Sequence, residues 1–218
     1  MKKHVCIISC LLSVILGVSL IGMSAKAEEL KKNNSPMYIK AIDNSTNEII
    51  ELKVLDEQLT SITYTKNADA AQKDVEYDVT FLLPVNKDTK TRSSVSTEQE
   101  DASIRARIKL TYYFSSDKND IKISNVSGSW ECTDNQYSMT FSNRTVSVND
   151  GRPSSFANII TKHPTGNTYS YDTGWEYVPY YPVNVNAMTG PRAFSEITAS
   201  IDGMGGSYTL YTSVNISR

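Results

Sequence analysis

Ser103-Ile104-Arg105-Ala106-Arg107-Ile108-Lys109-Leu110-Thr111-Tyr112-Tyr113-Phe114-Ser115 decides the fold. Side chains alternate from one side of a β-strand to the other, so Ile104, Ala106, Ile108, Leu110, Tyr112 and Phe114 share one face. Arg105, Arg107, Lys109, Thr111 and Tyr113 share the other. One apolar and one wet face is the pattern of an antiparallel sheet packed on one side only. Asp117-Lys118-Asn119-Asp120 then reads as a turn into a second strand through Ile121 and Ile123 to Val126.

The same rhythm continues to the C-terminus. Strands are expected over 128–133, 137–148, 156–161, 168–171, 174–185, 193–201 and 207–216, with an interruption at Asn143-Arg144. Asn149-Asp150-Gly151, Asp202-Gly203 and Gly205-Gly206 are turn signals. No long stretch keeps a helical period, and Tyr, Thr, Val and Ile favour pleated, half-buried surfaces. The expectation is an all-β antiparallel sandwich, Ig-like or Greek-key.

Upstream, Met37 to Ile42 and Glu48 to Leu55 read as a hairpin, with strands following at 61–66 and 75–85. Residues 86–102 are polar but for Val95 and Ala102 and read as a linker or long loop. This divides the chain into a small N-terminal β unit (37–85) and a sandwich module (103–218), unless the early strands join the same sheets. Residues 28–36 read as a disordered leader to the fold.

Residues 1–27 read as a bacterial export signal. Lys2 and Lys3 precede an uncharged stretch from Val5 to Met23, and Ala25-Lys26-Ala27 offers small residues at the two positions a signal peptidase reads. Cleavage after Ala27 leaves a secreted protein with no membrane span. An uncleaved anchor is the alternative, since the apolar run reaches the ~18 residues that cross a bilayer. Cys10 lies too early in that run for a lipobox.

Without Lys2, Lys3 and Lys26, 19 of the chain's 22 basic residues face 24 acidic ones, a net charge of −5. That balance argues against nucleic-acid or anionic-lipid partners. Cys132 becomes the sole mature cysteine, which removes any intrachain disulfide. It is expected as a small buried hydrophobe on the face of Trp130, since no neighbouring cation favours a thiolate.

Chemistry-bearing motifs are sparse. His163, alone in the mature region, precedes Pro164 and reads as a loop residue. No zinc, nucleophile-elbow or phosphate-loop pattern occurs, so no catalytic residue, metal or cofactor is assigned. Glu131, Asp134, Asp172, Glu176 and Glu196 are the acids from which a hydrolase would draw a pair. A calcium site around Asp117, Asn119 and Asp120 lacks the spaced EF-hand loop.

One local concentration stands out: Tyr169, Tyr171, Trp175, Tyr177, Tyr180 and Tyr181, with Gly174, Pro179 and Pro182 among them. Aromatic rings stack on sugars or anchor protein partners, and they also fill half-buried sheet surfaces. The prolines place 177–183 on an edge strand or loop. The expected function is a non-enzymatic binding module for an extracellular protein or glycan, using these six aromatics. A secreted hydrolase with unassigned carboxylates and a β-rich toxin are the alternatives.

Overall fold

A computed structural model describes residues 37–64, 72–85, 101–184 and 189–217. The expected export signal, the leader at 28–36 and all but the last two residues of the expected linker lie outside them. Twelve strands follow in chain order: β1 (Met37–Asp43), β2 (Ile49–Ile50), β3 (Lys53–Tyr64), β4 (Gln72–Pro84), β5 (Asp101–Phe114), β6 (Asp120–Cys132), β7 (Met139–Asn149), β8 (Ile159–Lys162), β9 (Thr168–Asp172), β10 (Val178–Pro179), β11 (Arg192–Ile201) and β12 (Tyr208–Asn215).

All pairings between these strands are antiparallel, and they form two six-stranded sheets. One runs β2-β1-β12-β11-β7-β8, and the other runs β10-β6-β5-β4-β3 with β9 also on β6. Central β5 packs against β11 and β12 of the facing sheet, closing an antiparallel β-sandwich. The strands of residues 37–85 are divided between both layers: β1 lies on β12, and β4 lies on β5. The pairing thus follows the alternative in which the early strands join the same sheets as 103–218.

The core is the alternation of the sequence made solid. On β5, Ala102, Ile104, Ala106, Ile108, Leu110, Tyr112 and Phe114 are all buried, and every intervening residue is partly exposed. Tyr77, Val79, Phe81 and Leu83 of β4 join them, facing Ile197 of β11 and Leu210 and Val214 of β12. The wet face of β5 carries a charge ladder. Arg105 pairs with Asp78 through both carboxylate oxygens, at 2.8 and 2.5 Å, and Lys109 reaches Asp74 at 2.6 Å.

Three strands differ from the sequence pattern for local reasons. β6 runs unbroken through Gly128, because the Tyr169 ring and the Arg107 carbonyl occupy the space a Cβ would fill. β3 merges two expected strands, and the polar stretch Asp56-Glu57-Gln58 fits there because the strand is exposed on both faces from Lys53 to Ser61. The interruption at Asn143 is a bulge: Asn143 has φ of 49°, and the register against β11 shifts there.

Aspartates fix four turns. Asp43 accepts from Ser45, Asp117 from Ser115 and Asn119, Asp134 from Gln136, Tyr137 and Ser103, and Asp202 from Ser138 and Thr140. These hydrogen bonds hold all four carboxyls below the ordinary carboxylate range. Asp117, considered as a calcium ligand, is thus committed to its own turn.

Candidate functional site

The aromatic segment runs antiparallel along the outer edge of β6 in two pieces. β9 pairs with residues 125–129, β10 with residues 120 and 121, and Thr173 to Tyr177 detour between them. Thr173 anchors the detour, its hydroxyl donating to the Ile123 carbonyl and its backbone N–H to the Ser124 carbonyl. The Tyr180 N–H donates to the Asn119 carbonyl at 2.8 Å, which seats the far end.

This arrangement splits the six aromatics. Tyr169 is in the core, its ring 4.9 Å from Trp130 and 6.3 Å from the nearly parallel Tyr171 ring. Burial pushes its hydroxyl far above the ordinary tyrosine range. Tyr171 and Trp175 are half-buried and pack against the core. Tyr180 is half-buried too, edge-on to Phe114 at 5.2 Å, with its hydroxyl 3.5 Å from the Ile216 carbonyl of the other sheet. These four seal the side of the sandwich.

Tyr177 and Tyr181 face the other way, at 41% and 39% exposure. Along 177–181 the strand period is plain: Val178 and Tyr180 point inward, while Tyr177, Pro179 and Tyr181 are exposed. Prolines at 179 and 182 leave this edge without two backbone donors, consistent with the short β10. Tyr177 and Tyr181, four residues apart, are separated by about 13 Å at strand rise.

Polar groups border Tyr177. Lys122 reaches Glu176 at 3.8 Å, and Tyr113 lies near enough to raise the Tyr177 pKa, second to partial burial as a cause. The Tyr113 hydroxyl donates to Gln72 Oε1 at 3.0 Å. Tyr113, Lys122 and Gln72 were not singled out from sequence. The signal for Tyr113 was present, since the alternation of β5 places it on the wet face.

Most of the remaining candidates have structural partners. Glu131 lies 3.8 Å from Arg107, Asp134 caps its turn, Asp172 accepts from Asn125 at 2.9 Å, and Glu176 faces Lys122. Glu196 is on the outer face of the opposite sheet. The Cys132 thiol is half-buried beside the core and donates to the Tyr137 carbonyl at 3.3 Å. His163 is exposed just beyond β8, with Nδ1 3.3 Å from the Thr145 hydroxyl. No family model, curated protein or solved structure matches the chain.

Proposed function

We propose that this chain is a secreted bacterial binding module that holds an extracellular glycan on the ridge formed by Tyr177, Pro179 and Tyr181. The observation that carries the reading is the split of the aromatic segment: inward residues pack it against the sandwich, and the outward rings of Tyr177 and Tyr181 are left exposed along that edge. Rigid, amphipathic rings contribute contact area at low entropic cost, and their faces suit the C–H surface of a sugar. Tyr113, Lys122, Glu176 and Gln72 supply hydroxyl, ammonium, carboxylate and amide groups beside the ridge for sugar hydroxyls.

This reading is favoured over a hydrolase because Glu131, Asp134, Asp172 and Glu176 each answer a structural partner. It is favoured over a membrane-inserting toxin because the Arg105–Asp78 and Lys109–Asp74 pairs suit a face that stays in water. Export rests on the leader at 1–27.

A glycan array and a bacterial cell-wall pull-down with the purified protein test it. Tyr177→Ala and Tyr181→Ala are expected to weaken capture about tenfold each, from a loss near 1.4 kcal/mol, without lowering Tm. Trp175→Ala, by contrast, is expected to lower Tm because that ring packs on the core. Capture unchanged in the double variant Tyr177→Ala/Tyr181→Ala would end the proposal.

A further inference from the structure

The outer face of the other sheet presents a different chemistry. Arg192 opens β11, and register places Asn149 of β7 on one side of it and Asn215 of β12 on the other. All three lie between buried neighbours along their strands, so all three project to the outer face. Arg192 is half-buried there, and the guanidinium meets no hydrogen-bond acceptor or carboxylate among the described residues. Desolvation, with no anion to offset it, holds its pKa below the ordinary arginine range. The nearest acid along its strand, Glu196, is four residues on, about 13 Å away at strand rise.

A desolvated cation without a counter-charge destabilises the fold that holds it. Its surroundings suit an anion. The guanidinium presents a planar fork of donors matched to two oxygens of a carboxylate or sulfate. Asn149 Oδ1 already accepts from the Gly151 N–H at 2.6 Å, which leaves its Nδ2 protons for another acceptor. Phe194, two residues along β11, is 39% exposed, and Ile159, paired with Asn149, is exposed as well. Exposed apolar side chains thus border a cluster of donors.

We propose that Arg192, Asn149 and Asn215 form an oxyanion-binding site, bordered by Phe194 and Ile159, for a ligand bearing a carboxylate or sulfate. The site stands on the sheet opposite the Tyr177 ridge and does not depend on the ridge's ligand. Because the protein is acidic overall, attraction at this site is local, through the fork and the two amides.

The test measures thermal unfolding of the purified protein in sodium glucuronate, sodium sulfate and sodium chloride at matched ionic strength, with calorimetric titration of glucuronate. The wild type is expected to melt higher in glucuronate and in sulfate than in chloride. Arg192→Gln is expected to lose that increment and to weaken glucuronate binding roughly tenfold or more, as for one charge-assisted hydrogen bond lost. Sulfate also stabilises proteins by exclusion from their surface, so the increment is read as the difference between wild type and Arg192→Gln. Arg192→Lys keeps the charge without the fork and is expected to fall between them. The sulfate arm separates this site from the ridge, because sulfate offers no sugar face to Tyr177 and Tyr181.

In chloride, Arg192→Gln melts no lower than wild type, because it removes an unpaired desolvated charge. An arginine held for structural reasons gives the opposite result. A lower Tm for Arg192→Gln in chloride, an oxyanion increment as large in it as in the wild type, or a wild type indifferent to both oxyanions would each overturn the assignment.

Discussion

Asp150→Ala is expected to be among the costlier single changes outside the apolar core. Asp150 is 1% exposed at the turn between β7 and β8, and its carboxylate organises everything around it. Oδ1 accepts from the Arg152 N–H at 3.0 Å, and Oδ2 accepts from the Asn158 N–H at 2.9 Å and from the Arg152 guanidinium at 2.9 and 3.0 Å. Gly151, in the left-handed region at φ 88°, accepts in turn from the Gly190 N–H, so the turn also supports the start of β11.

The alanine variant strands two backbone donors and a guanidinium. Hydrogen bonds to a charged group contribute about 1.5–3 kcal/mol each, so the two stranded backbone donors alone cost about 3 kcal/mol at the low end of that range. The Arg152 side chain is 21% exposed and recovers part of its share in water. The net loss is therefore about 3 kcal/mol. At about 2–4 °C per kcal/mol for a domain of this size, Tm falls by about 6–12 °C. Asp150→Asn keeps one acceptor oxygen and is expected to lose about half as much. Thermal unfolding followed by near-ultraviolet circular dichroism reads both variants. A drop under about 2 °C for the alanine variant would show that water replaces the carboxylate and that the turn does not depend on it.

Two further expectations concern the sheets. Stability should fall in acid through Asp43, Asp117, Asp134 and Asp202: their folded pKa values are depressed, so their contribution is complete above the unfolded value near 3.9 and fades as pH drops through the folded values. A urea midpoint that is constant from pH 5 to pH 3 contradicts this. Gly128→Ala places a methyl group against the backbone carbonyl of Arg107 and the Tyr169 ring, and an overpacking cost of about 3 kcal/mol is expected. Adding Tyr169→Ala should not restore the Tm, since the carbonyl remains, and full restoration would refute the account.

The layers were legible because burial on one face imposes a period of two. That held on β5 without exception, and the turns at Asp117 and Asp202 announced themselves through their own residues, whereas the Asp134 turn gave no such signal. Gly128 misled because a glycine reads as a break unless the ring that covers it, Tyr169, is known to pair opposite. β3 misled because an edge strand exposed on both faces shows no contrast between faces. At the candidate site, composition singled out the segment but not the sides of its rings: Tyr169, Tyr171, Trp175 and Tyr180 turn inward and only Tyr177 and Tyr181 outward. Arg192 gave no signal at all, because Asn149 and Asn215 become its neighbours only through strand pairing.

Among the described residues, β3 has a hydrogen-bonded neighbour on one side only, and at twelve residues it is far longer than β2, β8 or β10 at the other margins. With Val54, Leu55 and Leu59 exposed along it, a straight ladder there would be a template for chain after chain to add in register, the first step of a fibril. The register shift between Val54 and Asp56 cuts that template, and Lys53, Asp56 and Glu57 place like charges in adjoining copies wherever they stack in parallel. Leu55, the residue left out of the register, interrupts that ladder, and its deletion is expected to straighten the margin.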